Sequence, residues 1–148
     1  MSGFQTDVLE GLADLLHNAS IGTWGTSGAY SASDTGIVLG VVPQAPDRII
    51  TLTAYGVSGD DPSLSDSEIG VQVRCRWSGQ DPRDVNDLDD TVFSALHGRK
   101  EFTLSTGVRV VQCLRHSGPV SLGQDENNRW STSSNYYLTV HRPSTYRI

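Results

Sequence analysis

The stretch from Ser67 to Gly98 changes its hydrophobic period midway, and that switch limits the possible folds more than any other feature of the chain. In its first half Ile69, Val71, Val73, Cys75 and Trp77 alternate with Gln72, Arg74 and Arg76. A period of two predicts a strand with one buried face. In its second half Val85, Leu88, Val92, Phe93 and Leu96 follow helical spacing and form a single apolar stripe. Asp81 is placed to cap that helix, Pro82 to occupy its first position, and Gly98 to supply a left-handed residue at its end. A strand followed at once by an amphipathic helix supplies both a sheet and a layer to cover it. The chain therefore reads as α+β.

The remaining segments can be arranged around that pair. Ser2 to Asn18 predicts a first helix, with Phe4, Val8, Leu12, Leu15 and Leu16 as its stripe and Ser2 and Gln5 at capping-box spacing. Gly11 weakens this helix by about 1 kcal/mol relative to alanine, so tertiary packing must hold it. Its polar face lacks the Lys and Arg of membrane-surface helices. Residues 21–35 turn to Gly, Ser, Thr and Ala with Trp24 and Tyr30 embedded, which leaves open a mobile loop or an arm that packs on a partner. Ile37 to Val42 is a short extended run ended by Pro43. Arg48 to Val57 has two semi-apolar faces and reads as a central strand. Two more strands are expected at Glu101–Leu104 and Gly107–His116, joined by a turn at Ser105–Gly107. A second long polar loop is expected at 117–133 and a last strand at Ser134–Arg142. The sum is one domain spanning 1–148. It holds a mostly antiparallel or mixed, twisted sheet of about four to five strands covered by two helices.

Composition narrows the function classes. The 148 residues are enough for a core without staples. The formal charge of −6 and the single lysine leave no basic patch for a nucleic-acid groove. Cys75 and Cys113 fall on strand patterns in a chain with no signal-peptide pattern, so both are expected reduced and packed, in a product made in a cytoplasm. The four histidines are scattered and none pairs at i+4 with another ligand. Asp84, Asp87, Asp89 and Asp90 fail as a calcium loop, because Leu88 takes a ligand position and no glycine turns the chain. They suit the positive end of a helix instead. Gln124 to Asn128 reads as a polar hairpin tip. A Ser/His/Asp set built from His116, Asp125 and a serine has no local nucleophile signature. No cofactor loop is present.

Several local patterns, taken in order, carry a resemblance. They are the N-terminal helix with Ile21-Gly22-Thr23-Trp24, then Asp34-Thr35-Gly36-Ile37, then Pro46-Asp47-Arg48 entering a strand that ends at Tyr55. Next come Val71 to Arg76 and Leu96-His97-Gly98, then Leu122-Gly123-Gln124-Asp125, Arg129, and Ser134-Asn135-Tyr136-Tyr137-Leu138. This order resembles the tail-terminator and minor capsid proteins of long-tailed double-stranded DNA bacteriophages, over nearly the whole chain.

The resemblance implies a structural virion protein and not an enzyme, with no cofactor or metal. It implies a homohexameric ring that caps the tail tube and joins it to the head-completion or connector protein. Genomic DNA would pass through the lumen without specific binding. The ring would be assembled in the host cytoplasm, with no membrane involved. Trp24, Tyr30, Arg129 and Trp130 are the candidate subunit contacts; their alternative role is to anchor their own loops to the core. Two rival functions remain at this level: a stopper protein of the same particle, and a small monomeric hydrolase or ligand-binding domain.

Overall fold

The computed structural model describes residues 3–25 and 29–147. Helix α1 (Phe4–Asn18) comes first, then strands β1 (Thr35–Leu39), β2 (Arg48–Gly56) and β3 (Asp66–Trp77). Helix α2 (Pro82–Leu96) is followed by β4 (Lys100–Thr103), β5 (Arg109–Gln124) and β6 (Trp130–His141). The strands form one six-stranded sheet in the order β1-β2-β3-β6-β5-β4. Only β1 and β2 run parallel. The sheet thus has six strands and not four to five, because both short margin segments, β1 and β4, pair fully into it.

The period switch is realised as expected. On β3, Ile69, Val71, Val73 and Cys75 are buried, and on α2 so are Val85, Leu88, Val92 and Leu96. The Asp81 side chain accepts the Arg83 backbone N–H at 3.0 Å, with Pro82 following as the first helical residue. Past the end of the helix, Gly98 takes φ +81°. Both helices lie on the same face of the sheet. There Val8, Leu12 and Leu16 of α1 and the α2 stripe join Ile50, Leu52, Val71, Val73, Tyr136, Leu138 and Val140 in one core. The expected capping residue Ser2 lies outside the described residues; α1 has Gly3 at its N-cap, with no side-chain cap.

Residues 117–133 are not a loop. Strand β5 runs on to Gln124, the turn occupies 125–129, and β6 begins at Trp130. The pairing is interrupted by register shifts near Gln112, His116, between Ser117 and Val120, and near Leu122. These irregularities erase the alternation that sequence reading depends on.

Two tests follow from the packing. An added Cβ at Gly11 would lie 2.6 Å from Leu104 Cβ. Gly11→Ala, ordinarily a gain in a helix, is therefore expected to destabilise the protein by about 1–2 kcal/mol in denaturant unfolding. Cys75 and Cys113 are free and buried. Burial pushes the Cys113 thiol up to about 12 against the opposing pull of Arg99, and pushes Cys75 higher still. Neither thiol should react with a thiol-specific reagent at pH 8 until the protein is unfolded. Fast labelling of the native protein would contradict this packing.

Candidate contact surface

The register places four rows of residues across the face of the sheet that the helices leave bare. They are Tyr55–Gly70–Tyr137–Leu114, Thr53–Gln72–Asn135–Ser117, Thr51–Arg74–Ser133–Val120 and Ile49–Arg76–Ser131–Gly123. Directly opposed residues share a face, so each row is one line of neighbours. Tyr55 lies over Gly70, where any Cβ would fall 2.4 Å from the ring. Its hydroxyl donates to Asn135 Oδ1 at 2.9 Å, and Asn135 Nδ2 donates to Ser117 Oγ at 3.1 Å. His116 stacks on Tyr137 with ring centroids 4.2 Å apart. The buried Nε of Arg74 has no hydrogen-bond partner among the described residues.

One end of this face is crossed by the segment 40–47 that joins β1 to β2. Thr51 Oγ1 donates to the Val41 carbonyl at 3.1 Å. Two buried arginines then clamp the segment. Arg76 donates from Nε to the Asp47 carbonyl (2.9 Å) and from Nη2 to the Pro46 carbonyl (2.7 Å). Arg129 donates from Nη1 to the Gln44 carbonyl (2.6 Å) and pairs with Asp125 (2.8 Å) and Asp47 (3.2 Å). Burial, and then the like charge of Arg129, lower the Arg76 pKa from its ordinary value. Burial alone would raise the Asp125 pKa, but the backbone N–H and guanidinium of Arg129 and the Asn127 N–H hold it below the usual carboxylate range.

The four residues singled out by sequence are dispersed, and each has contacts within its own chain. The Trp24 backbone N–H donates to His17 Nδ1 at 3.0 Å, and its ring lies partly buried against the core. The Tyr30 hydroxyl donates to the Ile37 carbonyl, tying its loop to β1. Arg129 is 4% exposed and wholly occupied by the clamp. The Trp130 indole N–H donates to the Gln80 carbonyl at 2.9 Å. Trp24 and Tyr30 both border β1 at Gly36 and Ile37, and Arg129 and Trp130 adjoin at the turn of the β5–β6 hairpin.

Sequence reading missed a buried polar centre beneath α2. Asp89, 0% exposed, accepts from Ser134 Oγ (2.8 Å) and pairs with Arg115 (3.2 Å). Burial raises its pKa above the usual range, opposed by the Ser134 hydrogen bond and the Arg115 charge. Arg115 in turn lies 4.2 Å over the Phe93 ring, and its backbone N–H donates to His97 Nδ1. The signal was present: Asp89 falls on the apolar stripe, between Val85 and Val92 at helical spacing. Sequence also gave no hint that large apolar side chains stay at the surface. Val41 is 62% exposed, Val42 43%, Val120 58% and Leu122 47%. Charge is unevenly placed as well: the two helices carry Asp7, Glu10, Asp14, Asp84, Asp87, Asp89 and Asp90 against Arg83 alone among Lys and Arg.

No group of three or more His, Cys, Asp or Glu side chains is placed to hold a metal ion among the described residues. His116 stacks on Tyr137, and Asp125 pairs with Arg129. A groove of about 480 Å³ between α1 and β4 is lined by Gly11, Asp14, Arg99 and Phe102, and its carboxylate is bonded to Ser105 at 2.6 Å. No curated protein matches the chain. A family model described as bacteriophage tail terminator protein matches residues 15–142, which takes in every strand, α2 and the end of α1. The chain belongs to the bacteriophage tail terminator family, a structural family of the virion.

Proposed function

We propose that the protein works as a homohexameric ring that ends tail-tube growth by covering the last ring of tube protein and offers its other side to the head-tail connector. Family membership carries this reading. Several features of the chain support it. The sheet face free of helices and the surface valines fit a subunit with neighbours, and the rigid two-layer body fits a ring wall. Trp24, Tyr30 and Trp130 are each partly exposed, so part of each ring is available to a neighbour. Buried Arg129 would act only by shaping segment 40–47. The formal charge of −6 suits a conduit through which DNA slides without sticking. Assembly would take place in the host cytoplasm.

Light scattering on the purified protein, alone and with tube protein, tests the proposal. A ring that forms on tube ends, with tube growth halted, is the expected result. A ring that binds connector protein but ignores tube ends would make it a stopper. A monomer indifferent to both partners at high concentration would overturn the reading.

A further inference from the structure

The sheet has two unlike margins at the end crossed by segment 40–47. Strand β4 pairs with β5 only from Arg109 to Gln112. Just beyond, the Cys113 backbone and the Arg115 N–H are still taken by Gly98, Arg99 and His97. Past Arg115 the outer margin of β5 meets no strand among the described residues. That open margin carries Val120 and Leu122, at 58% and 47% exposure. An open strand margin bearing apolar side chains is a template for another strand.

At the opposite margin β1 is already closed. Thr23 bridges to it on both sides of Gly36, and the Tyr30 hydroxyl takes the Ile37 carbonyl. The chain leaving β1 is different. Gly40 donates to the Leu52 carbonyl and the Val41 carbonyl accepts from Thr51, but the Val41 N–H and both backbone groups of Val42 have no partner among the described residues. Val41 and Val42 are also exposed, and the arginine clamp at Gln44, Pro46 and Asp47 holds the segment in place. From β2 to β5 is three strand spacings, about 14 Å. One chain thus presents two separate apolar patches on opposite flanks: an open strand margin, where the Gly123 N–H is taken by Ser121 Oγ, and a segment with free backbone groups at Val41 and Val42.

We infer that the outer margin of β5 at Val120–Gln124 receives the Gly40–Pro43 segment of a second copy of this chain. The two patches match in kind: both are apolar, and the free backbone groups of Val41 and Val42 can pair with an open strand margin. They also differ in identity, which is what a head-to-tail contact between identical copies requires. Pro119 and the register shift at Leu122 keep the open margin short, so it accepts a segment of a few residues and resists indefinite strand addition. The inference rests on the reading of this protein as a ring subunit and specifies the surfaces that close the ring.

Disulfide trapping tests it in the full chain, whose native Cys75 and Cys113 are buried. Val41→Cys and Leu122→Cys chains are mixed under mild oxidation in the presence of tube ends. The mixture is expected to give covalent dimers, and each variant alone none. A chain carrying both substitutions is expected to give a ladder of covalent oligomers. A Val120→Asp/Leu122→Asp chain should keep its melting temperature while its self-association weakens about a hundredfold, from exposing two side chains that the contact would bury. Rings seen by light scattering without these crosslinks, or with Leu122→Cys linking only to itself, would overturn the surface assignment and leave the ring reading standing. No assembly of the native chain under any condition would overturn both.

Discussion

Replacing Arg129 with alanine is expected to cost about 3 kcal/mol and lower the melting temperature by about 10 °C. The guanidinium is buried and makes bonds to Gln44, Asp47 and Asp125. The carboxylates left behind are partly exposed, 59% for Asp47 and 37% for Asp125, so water recovers them. The loss therefore falls short of the full penalty for a stranded buried charge. What disappears is the tie between the hairpin turn and segment 40–47. Arg129→Lys should recover little, because an ammonium cannot reproduce the fork that reaches Gln44 and Asp125 together. Thermal melts of both variants check this; a drop of under about 1 kcal/mol for alanine would mean that Arg76 alone holds the segment.

Arg115→Met is expected to cost about 2–3 kcal/mol at pH 7 and much less at pH 4. Arg115 lies against Asp89, whose folded pKa is raised by burial. For an acid raised in the folded state, the native form holds the proton more tightly than the unfolded chain does. Stability is then greatest below the unfolded pKa and falls as pH rises through the folded one. Removing the one cation near Asp89 deepens that fall. Asp89→Asn should flatten it, and in combination with Arg115→Met should restore most of the stability at pH 7. Denaturant unfolding at pH 4 and pH 7 of the two single variants and the double variant checks the cycle. Equal losses for Arg115→Met at both pH values would show that its packing on Phe93, and not its charge, matters.

How far the sequence could be read depends on where each segment finds its partners. Residues 67–98 were legible because each residue's environment follows from its local period. Asp89 was the exception there, since an acid on an apolar stripe needs knowledge of Ser134 and Arg115, which lie far along the chain. The β5–β6 hairpin was misread for a related reason. Ser131, Thr132 and Ser133 look like loop residues, yet all three are buried because β6 sits between β3 and β5. Their strand conformation comes from non-local pairing on both sides, which overrides local propensity. The order of short patterns along the chain pointed to the right family even so, as the family match bears out. The contact surface was the least legible part. Exposure of Val41, Val42, Val120 and Leu122 depends on which strand ends where, and composition does not encode that.

The acidic helix layer has a consequence for assembly. Of its seven carboxylates only Asp89 is buried, so two copies approaching helix layer to helix layer meet as like charges before any atoms touch. At physiological ionic strength that repulsion reaches about 8 Å, further than any apolar contact. The helix layer therefore acts as an orientation filter, disfavouring helix-to-helix encounters between copies. Added salt should relax the filter, so helix-to-helix association of copies is expected to rise with ionic strength.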